Sequence, residues 1–158
     1  MSIVKFSSSL KLGRLNELYF ENVIYESKGI RPRLTAFELQ KKGIDYVVNG
    51  KNIEVKSHKS KYQHFIFETL SDSGRLGWLF TSKADFIAFT DHQNKRITFL
   101  DFKNSRAQIV RNLHRYKEQT NEPTLYNLDK SKDGLIYQSR FIKVQLQELQ
   151  DFITINQK

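Results

Sequence analysis

The sequence predicts an α/β (α+β) fold: a central mixed β-sheet that opens with an antiparallel hairpin and is flanked by helices on both faces. Three observations carry this expectation. Asn49-Gly50 separates the apolar runs "IDYVV" and "KNIEVKS", and the dipeptide suits a type I′ turn, whose two central residues need positive φ. The stretch "LKLGRLNELYFENVIYESKGI" places Leu12, Leu15, Leu18, Tyr19, Val23 and Ile24 on one side of a helix. Further on, short runs rich in β-branched and aromatic residues alternate with turn residues.

In chain order, the first helix stops at Gly29, and Arg31-Pro32-Arg33 begins a loop. The hairpin follows, with Val48 paired to Lys51, Val47 to Asn52 and Tyr46 to Ile53. That register sets Asp45 directly opposite Glu54. "HFIFETL" reads as a strand broken by "SDSGRLG", and "WLFTSKA" as a helical turn. "DFIAFTD" and "RITFLDF" form a second hairpin across "HQNK". A helix over "KNSRAQIVRNLHRYKEQ" turns Ile109, Val110, Leu113 and Tyr116 inward. A polar connection, "TNEPTLYNLDKSKDG", leads to a strand, "LIYQSRFIKVQ", and a closing helix, "QELQDFITIN".

Composition bounds the reading. The 158 residues form a single expected domain, 1–158, with 39% hydrophobic and 13% aromatic residues to fill one core. The absence of cysteine excludes disulfides and zinc-thiolate sites and suits a cytoplasmic setting. No run is apolar enough for a signal peptide or a bilayer span, so no membrane partner is expected. The formal charge of +9 favours a polyanionic partner, most often nucleic acid.

Two opposed carboxylates on a strand pair repel, and such pairing is normally avoided. Side chains alternate along a strand, so Glu54 and Lys56 share a face while Val55 points away. A divalent cation between Asp45 and Glu54 would relieve the repulsion, and Mg²⁺ takes carboxylates, waters and phosphate oxygens together. A lysine one step along could orient water at a scissile phosphate, a constellation suited to phosphodiester hydrolysis. The bland alternative is a solvated hairpin end in which Lys56 simply pairs with Glu54. The apolar neighbours Ile44, Tyr46, Val47, Val48, Ile53 and Val55 suggest strands near the sheet centre. Upstream, Gly13 and Glu17 share one helix face; the glycine suggests close backbone approach, and Glu17 is a third acid, with Glu21 its competitor.

Gly13-x-x-x-Glu17 on a first helix, Asp45 at the opening of a strand, and Glu54-Val55-Lys56 on the next resemble the PD-(D/E)XK nuclease superfamily. That group includes type II restriction enzymes, archaeal Holliday-junction resolvases and phage-encoded nucleases. Ile44 stands where the family's proline would be. The resemblance implies a restriction-endonuclease-like fold and a Mg²⁺-dependent deoxyribonuclease, with Mn²⁺ as a substitute. It implies that Asp45, Glu54 and the Val55 carbonyl bind metal. It assigns Lys56 to the nucleophilic water, and Glu17 to a second metal or a metal-bound water.

Around the hairpin, Lys59, Lys61, Arg31, Arg33 and Arg75 are candidate phosphate contacts on DNA, with a solvated basic surface as the default. Glu68 could reach the site from the next strand, although a solvent-facing role is its ordinary reading. His58 and His64 read as ordinary surface or DNA-side residues, and Trp78 as core in preference to a base-stacking platform. Arg106, Arg111 and Arg115 suggest a second basic stripe. The expected function is a metal-dependent DNA endonuclease, either generic or junction-resolving; a resolvase would require a homodimer presenting two sites. The alternative is a basic nucleic-acid-binding or inhibitory protein that keeps the fold without cleaving.

Overall fold

The computed structural model describes residues 2–120 and 138–157, with side chains from residue 10 to residue 156. The polar connection expected from 120 to 134 lies outside the described residues except for Thr120. Helix α1, Ser2–Lys28, leads to the short α2, Phe37–Gln40, and then to the hairpin strands β1, Tyr46–Val48, and β2, Lys51–Ser57. Next come β3, His64–Leu70; α3, Trp78–Thr81; β4, Phe86–Asp91; β5, Arg96–Asp101; and α4, Phe102–Arg111. The described chain closes with β6, Gln119–Thr120; β7, Arg140–Gln145; a 3₁₀ segment, Leu146–Phe152; and β8, Ile153–Gln157.

Five strands form a mixed sheet in the order β1-β2-β4-β5-β8, in which β2 and β4 run parallel and the other neighbours antiparallel. A second sheet has the order β3-β7-β6 and is antiparallel. The α+β class and the mixed sheet agree with expectation, and helices lie on both faces, joined on one of them by a second sheet that was not expected. Helix α1 covers one face of the five-stranded sheet. The three-stranded sheet, α3, α4 and the 3₁₀ segment cover the other. Nor is β1 central: it is an edge strand, and Tyr46 and Ile53 are apolar because they pack against α1.

Two apolar clusters follow from this layering. Phe20, Val23 and Ile24 of α1 meet Tyr46, Ile53, Ala88 and Ile97 on one side. Phe65, Phe67, Ile142 and Val144 of the second sheet meet Ile87, Phe89, Leu100, Phe102 and Leu149 on the other. Full burial of each such side chain contributes about 1.5–3 kcal/mol. The α1 face is rotated from the expected one. Asn16 and Phe20 are buried, whereas Leu15 and Leu18 are each 38% exposed. Gly29 ends the helix as expected, at φ 78° with its amide donating to the Tyr25 carbonyl.

The hairpin pairs Tyr46 with Ile53, Val47 with Asn52 and Val48 with Lys51, and Asn49 and Gly50 both have positive φ. The second hairpin, Phe86 to Asp101, closes over 92–95. Asp101 caps α4 by accepting from the Asn104 amide. The helix ends at Arg111, earlier than expected, and Val110 points outward. The closing "QELQDFITIN" is not one helix. Its β-branched end, Ile153 to Ile155, pairs with β5 and completes the sheet.

A single carboxylate fastens the loop that follows β2. Asp91 accepts from the Ser60 amide and hydroxyl and from Asn94. Burial alone would raise its pKa, but these donors bring it down to about 2. The stabilisation is therefore complete above the ordinary aspartate range and is lost as pH falls toward 2. Asp91→Ala is expected to cost about 3 kcal/mol at pH 7 in denaturant unfolding, with a smaller cost at pH 2.5. An equal cost at both pH values would show that the ionised carboxylate is not what holds this loop.

Candidate active site

The expected register runs true to Tyr46 and then changes. The Asp45 amide donates to the Ile53 carbonyl, although Ile53 is already the partner of Tyr46. Two residues thus oppose one, the arrangement of a β-bulge, and Asp45 does not stand directly opposite Glu54. The bulge re-aims the side chain along the sheet edge, where Asp45 Oδ2 accepts the Val55 amide at 2.8 Å. The Asp45 carbonyl is held from the other side by the Thr35 amide at 2.9 Å. Both backbone groups of Asp45 are therefore fixed, which fixes where its carboxylate can lie.

In an extended strand the N–H and C=O of one residue point to the same edge. Since the Val55 N–H points to Asp45, its carbonyl also points to the stretch of β2 edge beyond the end of β1. Val55's side chain packs toward α1, while Glu54 and Lys56 project to the opposite face. Glu54 is 6% exposed: Oε1 meets Lys56 Nζ at 2.9 Å and Oε2 accepts the Ser82 hydroxyl at 2.7 Å. Lys56 Nζ also lies 4.8 Å from the centre of the Trp78 ring. Ser82 is held in turn by Arg106, which donates to its carbonyl and lies over Phe102. Arg106 is thus a structural brace, not part of a basic stripe.

Gly43 is required here twice over. Its φ is 77°, and a Cβ would meet the Ser82 hydroxyl and would stand 2.9 Å from Glu54 Oε2. Gly13 has no such role. Nothing lies within 4 Å of a Cβ built there, so the expected close backbone approach is absent. Gly13 instead lines a cavity of about 220 Å³ with Arg14, Glu17, Val55 and Ser57, on the α1 side of the open edge.

The two helix acids now separate. Glu21 is buried, accepts the Tyr46 hydroxyl at 2.6 Å and has Arg14 and Arg31 at 3.4 and 3.8 Å. Glu17 is partly exposed in the cavity beside Val55, with Arg14 at 3.5 Å. Asn16 anchors this turn of α1 by donating to the Ser57 hydroxyl and accepting from the His92 amide. Sequence spacing singled out Glu17, but not the Asn16 clamp that positions it.

Burial, the largest cause, raises the Asp45 carboxyl to about 6; Glu54 and Glu17 push the same way, against the Val55 hydrogen bond and Lys56. Glu17 is also raised, first by burial. Glu68 joins this field. Burial raises it, while Lys56 and a hydrogen bond from the Trp78 backbone lower it, so its half-buried carboxylate lies within reach of Lys56. Asp45 and Glu68 thus both feel Lys56 and Glu54, and Asp45 also feels Glu17. Among the described residues, however, no group of three or more His, Asp or Glu side chains is gathered closely enough to hold a metal ion.

The candidate phosphate contacts divide. Lys59 and Lys61 are exposed in the loop fastened by Asp91, and Lys59 borders a cavity shared with Lys56. Arg33 and Arg75 are exposed. Arg31 is engaged on the α1 side by Glu21, Asn22 and Tyr25, away from Lys56. His58 is half-buried, its ring packed against Phe65 and Phe89.

Comparison with known protein families, curated proteins and solved structures returns no match. No helix of the described residues is long and apolar enough to cross a membrane.

Because Asp45 is raised above the ordinary aspartate value, its ionised form is the one the metal-free fold disfavours. Its contribution to stability is intact below about pH 4 and lost as pH rises through about 6. Asp45→Asn keeps an acceptor for Val55 and removes the charge. In EDTA at pH 7.5 it is expected to stabilise the protein by on the order of 1–2 kcal/mol, with the gain gone at pH 4. Thermal unfolding at the two pH values measures this. A mutant no more stable than wild type at pH 7.5 would contradict the account of the site.

Proposed function

We propose that the chain is a metal-dependent endonuclease hydrolysing DNA phosphodiester bonds, of the PD-(D/E)XK kind. The observation that carries this reading is the Asp45 carboxylate. It is half-buried and forms no ion pair among the described residues, beside a second, buried carboxylate and an outward-turned carbonyl. Oxygen donors of this kind fit a hard divalent cation such as Mg²⁺ or Mn²⁺. Asp45, Glu54 and the Val55 carbonyl would hold it, with Glu17 contributing from the α1 side through water. When bound, such an ion supplies Lewis acidity and lowers the pKa of a bound water.

The remaining chemistry belongs to the chain. Lys56 carries its ammonium between Glu54 and the Trp78 ring, where it would orient the attacking water and offset charge gathering on the phosphorus. Ser82 holds Glu54 in place, and Asn16 holds the turn that carries Glu17. The exposed Lys59 and Lys61 would meet phosphates flanking the one that reacts. A junction-resolving version of the activity would add a two-fold dimer.

A non-cleaving DNA-binding protein is the second reading. It is favoured by the ion pair that already neutralises Glu54 and by the lack, among the described residues, of a gathered three-acid group.

Cleavage assays separate the two. Asp45→Ala, Glu54→Ala and Lys56→Ala should each abolish Mg²⁺-dependent cleavage of linear, nicked and four-way-junction DNA while remaining folded. Full cleavage in EDTA, or by the Asp45 variant, would remove the proposal. Glu17→Ala should lose about tenfold to a hundredfold in rate at unchanged melting temperature. Glu21→Ala should instead lower the melting temperature, because it strands the buried Tyr46 hydroxyl.

Removing Lys59 and Lys61 together should weaken DNA binding about equally across sequences. The slope of log K against log salt should flatten by about 1.8 for two lost phosphate contacts. An unchanged slope would mean that neither lysine meets a phosphate.

A further inference from the structure

Beside Lys56, the space between β2 and β3 holds a cavity of about 260 Å³ whose apolar lining neither the acids nor the phosphate contacts explain. Trp78 and Phe89 line it on the inside, Ile66 and His64 on the β3 side, and Lys56 and Lys59 on the β2 side. Trp78 is braced from behind, with its ring centre 5.3 Å from Phe67 and 5.8 Å from Phe102. Ile66 is 47% exposed beside it, an apolar side chain at the edge of the second sheet. At the rim Tyr62 stacks on His64 at 5.5 Å, and Lys61 lies over the Tyr62 ring. Burial pushes His58, which also lines the cavity, down to about 4, so at neutral pH this ring adds no charge to that of the lining lysines, Lys56 and Lys59.

We infer that this cavity receives one unstacked nucleobase of single-stranded DNA, next to the phosphate held at Lys56. The Lys56 ammonium lies over the indole. Once it turns to a phosphate, the braced ring and the exposed isoleucine offer a flat apolar slot, and base–aromatic stacking tolerates any base because each has a π-face. The lysines on the β2 side match the phosphates that accompany the base, whereas an uncharged apolar ligand would leave them unused. A base inside a duplex is stacked on both sides and reaches such a slot only after leaving the helix. The slot therefore selects single strands, flaps or distorted sites over regular duplex. This rests on the nuclease reading only for the role of Lys56; the binding itself needs no cleavage.

Trp78 is the only tryptophan of the chain, so intrinsic fluorescence reports on this cavity alone. The intact protein in EDTA is titrated with a short oligodeoxythymidine and with a duplex of equal length, binding being followed separately by anisotropy of labelled DNA. The single strand is expected to cause a saturable loss of tryptophan emission, and the duplex none. Ile66→Glu is expected to weaken single-strand binding about tenfold at unchanged melting temperature. Single-strand binding without change in emission, equal quenching by the duplex, or no single-strand binding at all would each overturn the inference. Quenching by a protein that never cleaves with Mg²⁺ would uphold the base site and remove the nuclease reading, so the two failures are distinguishable.

Discussion

The arrangement around the site depends on one hydrogen bond, from the Val55 amide to the Asp45 carboxylate. Strand β1 is only three residues long, so β2 runs on past it with an uncovered edge. An unpaired strand edge must find partners or water. Here the next side chain back along the chain supplies one, and a two-against-one step at Ile53 aims it there. The consequence is a carboxylate held at a gap in the sheet, half out of water and near two other acids. That placement disfavours its charge, and the surrounding structure must sustain it.

The supports are traceable. Thr35 grips the Asp45 carbonyl, and Gly43 permits the chain to pass close to Ser82 and Glu54. Arg106, reaching from α4, fixes the Ser82 carbonyl and so braces the hydroxyl that holds Glu54. On the other side of the edge, Asn16 ties α1 to Ser57 and His92, which brings Glu17 over Val55. Glu54 and Asp91 show the opposite solution to burying an acid: each is surrounded by donors or a cation. Asp45 has one donor and no ion pair among the described residues. Within the proposed function, that contrast is the reason to place the cation at Asp45.

Much of this was legible in the residues. Asn49-Gly50 specified the turn, and with it three strand pairs, because few dipeptides accept two positive φ values. The order of helix, strand and strand, and the shared face of Glu54 and Lys56, followed from periodicity. The bulge at Asp45 was not legible, since nothing local distinguishes a ladder that continues from one that shifts by a residue. The second sheet was missed because "HFIFETL" reads as a strand without saying which sheet it joins. The final strand was missed because "QELQDF" has helical composition and does form a 3₁₀ segment before Ile153. Arg31, Glu21 and Arg106 carry charge that looked available on sequence grounds, and long-range partners take it up.

Within the proposed function, the Asp45 edge is where a divalent ion settles. The most direct measurement is anomalous diffraction from crystals soaked in Mn²⁺, compared with crystals of Asp45→Asn. The predicted result is a peak bonded to Asp45, Glu54 and the Val55 carbonyl, with Lys56 displaced from Glu54, and no such peak in the variant. A peak that persists in the variant, or manganese bound only elsewhere, would contradict it.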